Sequence, residues 1–200
     1  MFPGSLPQQE TIYIIGGGTS LKKIDLSLIK DKFIVGVNNA FSLENLVDVC
    51  WFGDSRWYEW NLDKLKDYKG IVATCHPDFK EHESIWGFKR RKWMGLETEQ
   101  GYVAWNRCSG GSAINFAYHC GAKKIVLIAF DMKRGEQKEN NWHNEHKVVF
   151  DFDTYDPYPG FIKAFNKIAE EATFLGLEIM DTSIDGTLTC FPKMELERCV

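Results

Sequence analysis

The stretch Thr11-Ile-Tyr-Ile-Ile-Gly-Gly-Gly-Thr-Ser-Leu21 runs apolar, breaks into three glycines and continues into hydroxyl residues. A buried strand ending in Gly16, Gly17 and Gly18 brings backbone N–H groups close to a docking group, with no Cβ in the way; this is how a chain builds a phosphate seat. Thr19 or Ser20 would cap a helix over Leu21 to Ile29, and the positive end of that helix would add to the seat. The same residues also suit a tight strand-to-helix turn with no ligand, because a glycine cluster alone has little specificity. The neighbouring segments have to decide between the two.

Outward from this stretch, apolar runs recur at Phe33 to Val37, Asp48 to Phe52, Gly70 to Cys75, Lys124 to Phe130 and Leu177 to Met180. The first three runs of the chain are continuous rather than alternating, as expected of strands covered on both faces in a parallel sheet. Between the runs, Trp57 to Tyr68 carries an imperfect helical stripe. Ser109 to Cys120 reads as a helix opened by a serine and glycines and closed by Gly121, and Gly160 to Leu175 places Phe161, Ala164, Phe165, Ile168, Ala169, Ala172 and Leu175 at helical spacing. The alternation predicts an α/β fold: a single-domain, Rossmann-like, open and mostly parallel sheet with helices on both faces. One domain over 1–200 is expected, with 80–107 an insertion over one sheet edge and 133–147 a short lid.

Composition narrows the function classes. Two hundred residues, 44% of them apolar, suit one core of good size. A net charge of −4 speaks against a broad nucleic-acid footprint, and the one basic run, Lys89-Arg-Arg-Lys92, reads as solvated surface. Six scattered cysteines form no Cys-x-x-Cys pair and read as reduced, buried thiols of a cytoplasmic protein. No apolar run approaches the roughly 20 residues that span a bilayer, and the first nine residues lack the features of a signal peptide.

In an open α/β sheet, ligands bind beyond the carboxyl ends of the strands. Polar residues collect there: Gly16 to Ser20 after the first strand, Asn38 and Asn39 after the second, Asp54 and Ser55 after the third, and Asp131 after the strand at Lys124. Each alone suits a turn; their recurrence at four strand ends points to a ligand. Asn side chains carry a donor and an acceptor for a base edge or sugar. Asp131 suits ribose hydroxyls or a helix cap, and Ser109 with Gly110 offers a second set of helix-terminal N–H donors. His143, in Asn140-Asn-Trp-His-Asn-Glu-His-Lys147, is the candidate general base, since histidine titrates near 6.5; His146 reads as a loop residue. Cys108 has no evident base beside it and reads as structural. His76, His82 and His119 acquire no role. No metal site is expected, because His143-x-x-His146 with Asp131 matches no dedicated motif.

Taken together, Ile14-Ile-Gly-Gly-Gly-Thr-Ser-Leu21, Val37-Asn-Asn-Ala-Phe41, Phe52-Gly-Asp54, Ser109-Gly110, Lys124-Ile-Val-Leu-Ile-Ala-Phe-Asp131 and Trp142-His143 resemble, in the same order, the bacterial sialyltransferases of glycosyltransferase family 42. They are also similar to the wider group that holds the Maf glycosyltransferases and the hydroxymethylpterin pyrophosphokinases, whose small members occur in phages and prophages. The resemblance implies a nucleotide-sugar donor, possible in form as a CMP-sialic-acid-like compound, and no tightly bound cofactor. It implies that Gly16, Gly18, Ser20, Asn38, Asp54, Ser109, Gly110 and Asp131 hold the nucleotide and its phosphate; Gly17, Thr19 and Asn39 join them on the reading of the strand ends alone. It also implies an inverting, metal-independent transfer with His143 as general base, a sugar or other hydroxyl acceptor, and a cytoplasmic location, that of the host if the chain is phage-encoded. A homo-oligomer is left open.

The chain departs from the family in three places. Gly17 replaces an asparagine in the glycine turn, Asp54 replaces another after the third strand, and the lid between Asp131 and His143 has no tyrosine. The sugar is therefore open. Two other functions fit the same residues: a Mg²⁺-dependent pyrophosphokinase-like transfer from ATP to a small heterocycle, and a non-catalytic nucleotide-binding accessory protein.

Overall fold

A computed structural model describes residues 5–43, 45–79, 82–143 and 155–200. Residues 80 and 81 of the expected insertion, and 144–147 of the expected lid with His146, lie outside the described residues. The elements are β1 (Thr11–Ile15), β2 (Ile34–Val37), β3 (Val49–Phe52), α1 (Ser55–Asp67), β4 (Ile71–Thr74), β5 (Trp86–Gly87), β6 (Lys89–Lys92), β7 (Tyr102–Ala104), α2 (Ser109–His119), β8 (Lys124–Ile128), α3 (Tyr158–Leu175) and β9 (Glu178–Asp181). Seven strands form one sheet in the order β5-β4-β3-β2-β1-β8-β9, and every described pairing in it is parallel. Among the described residues no helix is long and apolar enough to cross a membrane.

The continuous apolar runs have the expected cause: both sheet faces are covered. Ile12 and Ile14 of β1 pack with Trp51, with Phe116 of α2 and with Phe165 of α3 on one face. Tyr13 and Ile15, one residue out of phase, point to the opposite face, where Leu21 and Ile29 cover them, while Cys50 and Phe52 of β3 meet Trp57 and Leu65 of α1. The terminator of α3 is Gly176 at φ 65, a left-handed conformation that glycine adopts without penalty.

The helix expected over Leu21 to Ile29 does not form. Two short 3-10 turns, Thr19–Lys23 and Leu26–Ile29, occupy the segment, and neither Thr19 nor Ser20 caps them; Gly18 precedes the first turn without a side-chain cap. The cause lies across the sheet: both the N–H and the hydroxyl of Ser20 are bound to Asp131. Ile24 and Asp25 are extended, so the remaining residues are too few to propagate an α-helix.

Residues 82–107 split between two roles. β5 extends the sheet beyond β4, whereas β6 and β7 pair with each other in a separate parallel ribbon. Phe88, Leu96 and Val103 from this region enter the core that α2 closes. The ribbon is held by Glu97, whose carboxylate receives Arg91 Nε and an Arg91 terminal nitrogen, each at 2.9 Å, and the Thr98 N–H at 2.9 Å. These bonds, Arg91 foremost, lower the carboxyl from 4.5 to about 2. A depressed carboxyl adds stability above its unfolded value and loses it as pH falls towards its folded value. Acid should therefore remove part of the stability between about pH 4.5 and about 2, and Glu97→Gln should lose that dependence; denaturant unfolding of both proteins across this window checks it.

Candidate functional site

From β1 the chain builds the sheet in one direction through β2 to β5 and in the other through β8 and β9, so strand order reverses between β1 and β8. At that reversal the loops after neighbouring strands diverge and leave a crevice at the carboxyl ends. The crevice measures about 810 Å³, and Gly16, Gly17, Gly18, Asn38, Asp54, Ser109, Gly110, Asp131 and His143 all line it. Thr19, Ser20 and Asn39 do not.

The glycine turn is built by close approach to the loop after β8. A Cβ on Gly16 would stand 2.6 Å from the Ala129 carbonyl oxygen, and one on Gly18 would stand 2.5 Å from the Asp131 carboxyl carbon. Two of the three amides expected to face a phosphate are spent on this contact: Gly16 N–H donates to Ile128 at 2.8 Å and Gly18 N–H to Ala129 at 2.9 Å. Among the described residues, Gly17 keeps its N–H out of such bonds, while its carbonyl accepts from Trp142 N–H at 3.1 Å. The end of the lid is thereby stitched to the turn, and His143 lies beside it, its ring edge-to-face with Trp142 at 5.0 Å.

Asp131, only 3% exposed, latches the same turn. It accepts from Ser20 Oγ at 2.5 Å, from Ser20 N–H at 2.9 Å and, at 3.5 Å, from Thr19 Oγ1. Thr19 and Ser20 thus bind Asp131. Asn39 is also turned away: it is buried, and its Oδ1 accepts from Trp57 Nε1 at 2.6 Å. Asn38 does face the crevice, from a left-handed backbone at φ 52, with a buried Oδ1 that meets no described donor.

Asp54 caps α1 through Arg56 N–H and pairs with the Arg56 guanidinium at 2.8 Å, which holds its carboxyl below the usual range. The negative charge that distinguishes it from asparagine is therefore matched locally. At α2 the cap is Cys108 rather than Ser109: its Sγ accepts from Gly111 N–H at 3.3 Å. Burial pushes this thiol up to about 12, so it stays protonated at neutral pH and agrees with a structural reading. A Cβ on Gly53 would come 2.8 Å from Ser109 Oγ, so the loop after β3 abuts the helix start.

Four non-glycine residues with left-handed φ, namely Asn38 at 52, Arg107 at 59, Ala129 at 58 and Met132 at 49, line this one crevice. Such conformations cost of order 1–3 kcal/mol each and persist where surrounding structure enforces them, often at functional sites.

Several lining residues escaped sequence reasoning. Arg90 belongs to the run read as solvated surface, yet on β6 it alone of the four is only partly exposed; it donates to Gly53 O at 2.9 Å and lies over the Trp105 ring at 5.0 Å. Strand alternation is the signal that four consecutive cations cannot all face the same way, and the register shift between Arg90 and Lys92 accompanies the exposure of Lys92. Arg56, Arg107 and Lys133 add further positive charge, and His76, without a role from sequence, also lines the wall. Tyr155 and Tyr158 bring phenols to the crevice from beyond the lid; burial raises the Tyr158 hydroxyl and keeps it a neutral donor. No group of three or more His, Cys, Asp or Glu side chains arranged to hold a metal occurs among the described residues.

No protein-family profile matches the chain, and no curated protein matches it. Solved structures of the sialyltransferase CstII from Campylobacter jejuni do match. The complex with cytidine-5'-monophosphate superposes with a TM-score of 0.59 at 13% identity, over 94% of this chain and 85% of that one. The complex with CMP-3FNeuAc gives 0.57 at 12% identity, over 93% and 86%. At that identity the likeness is one of architecture: the chain has a sialyltransferase-like fold, an open, mostly parallel α/β sheet.

Proposed function

We propose that this protein is a glycosyltransferase-like enzyme that uses a nucleotide-activated sugar, with a CMP-linked, sialic-acid-like donor as the first candidate. The observation that carries the reading is the convergence, at the strand-order reversal, of the Gly17 amide, the α2 N-terminus and His143 on one cation-rich crevice. The fold neighbours hold cytidine monophosphate and a CMP-sugar analogue, which supports the donor class.

In this reading the donor phosphate rests against Gly17 and the first turn of α2, where helix-end N–H groups favour an anion. His143 takes the proton from an acceptor hydroxyl as its oxygen attacks the anomeric carbon from the face opposite the phosphate. The bond to phosphate breaks, the nucleotide leaves with the electron pair, and the sugar is inverted. Backbone N–H groups and the Tyr158 hydroxyl stabilise the charge on the leaving phosphate; preorganised donors in a water-poor site serve this role without a metal. Asn38 Oδ1, lacking a described donor, accepts from a sugar hydroxyl or base amine.

Calorimetric titration with CMP and ATP, with and without magnesium, tests the donor class. CMP should bind equally well with or without magnesium. ATP binding that requires magnesium, with CMP inert, would overturn the reading in favour of pyrophosphoryl transfer.

A further inference from the structure

The crevice has a second positive pole, away from the glycine turn. Gly53 and His76 follow β3 and β4, two and three strands from β1, which is about 10–14 Å at the usual interstrand spacing. Arg90 reaches this pole from β6. Its guanidinium is fixed between the Gly53 carbonyl and the Trp105 ring, no described carboxylate pairs with it, and its Nε is buried without a described acceptor. Arg56 lines the same crevice but is already matched by Asp54. His76 lies 3.4 Å from the Asp78 carboxylate, so among the cations of this pole Arg90 is the one without a described carboxylate partner.

Aromatic surface lies alongside. Trp60 and Trp105 both line the crevice, and Trp93, 57% exposed, packs edge-to-face on Trp105 at 4.6 Å, so indole surface runs from the crevice wall out to solvent. Flat indole faces match the C–H faces of sugar rings, and a rigid, uncompensated guanidinium matches a carboxylate or phosphate. A neutral ligand would leave the Arg90 charge unmatched.

We propose that Arg90, with the indoles of Trp60 and Trp105, forms an acceptor subsite for an anionic sugar, one bearing a carboxylate or a phosphate. The assignment of this pole to the acceptor rests on the donor phosphate lying at the glycine turn, as in the function proposed above. The acceptor ring then stacks on indole, its anionic group meets Arg90, and its hydroxyl is presented towards the centre of the crevice.

The test uses the intact chain saturated with CMP, titrated with galacturonic acid, galactose 6-phosphate and galactose and read by tryptophan fluorescence. At least one anionic sugar should bind about tenfold or more tighter than galactose without displacing CMP; which of the two does so separates carboxylate from phosphate. Arg90→Gln should abolish that preference while the CMP titration stays as in the wild type. Because Arg90 also braces Gly53, the salt dependence of the wild type is a second measurement: affinity for the anionic sugar should fall with added salt and that for galactose should not. Galactose binding equally well, displacement of CMP by the anionic sugars, or an unchanged preference in Arg90→Gln would overturn the subsite. Failure of CMP to bind, with the anionic sugar still held through Arg90, would overturn the donor reading and leave the anion subsite standing.

Discussion

His143→Ala should slow sugar transfer by about 10²- to 10⁴-fold, the usual cost of removing a positioned general base, while nucleotide affinity stays at the wild-type value. The separation follows from how the segment is attached. The lid end is held to the glycine turn by a backbone bond, Trp142 N–H to Gly17 O at 3.1 Å, which the substitution does not touch. The imidazole lies edge-to-face with Trp142 and lines the crevice wall, where an acceptor hydroxyl rather than the nucleotide would meet it. A group acting in the transition state alone lowers kcat with KM held. Steady-state kinetics with a CMP-sugar donor, beside a CMP titration of the same variant, measures both; a variant with wild-type kcat removes His143 from the mechanism.

Gly18→Ala should destabilise the protein by about 1–3 kcal/mol, as overpacking of a rigid contact does, and should also weaken nucleotide binding. The backbone at Gly18, φ −64 and ψ 151, is one that alanine adopts freely, so conformational strain is not the cause. The cause is space: the new Cβ would sit 2.5 Å from the Asp131 carboxyl carbon and 2.7 Å from the Ala129 carbonyl oxygen. Relief requires moving Asp131 off Ser20, which opens the latch on which the turn depends. Gly17→Ala is the control. Its nearest neighbour is the Asn141 side-chain oxygen at 2.9 Å, which rotates away, so stability should change little. Denaturant unfolding and CMP titration of both variants decide the matter, and equal stability of Gly18→Ala and the wild type would show that the close approach does not govern the turn.

The local signals were strong where one element answers to its own residues. The continuous apolar runs at β1, β2 and β3 marked parallel strands covered on both faces, and the helical spacing of Phe161, Phe165, Ile168 and Ala172 marked α3. The same kind of signal failed for Leu21 to Ile29, because Asp131, more than a hundred residues away in sequence, claims the serine that was expected to cap a helix there. A hydrogen bond of that separation leaves no trace in a local pattern.

The glycine turn and the polar strand ends were visible as residue types because chain periodicity locates those ends, and His143 was visible only as a titratable residue in the polar segment after Asp131. Which donors remain available was not visible. Asn38 and Asn39 are adjacent and chemically identical, yet one lines the crevice and the other accepts from Trp57. Arg90 is one of four consecutive cations, and only the pairing of β6 with β7 turns it inward over Trp105. Sequence alone thus determined the class of fold and the end of the sheet at which the polar crevice lies, since both follow from the period and termination of apolar runs. The tertiary structure alone decided which amides, carboxamides and cations face the crevice, because a polar group spent on a distant partner has the same letter as one left for a ligand.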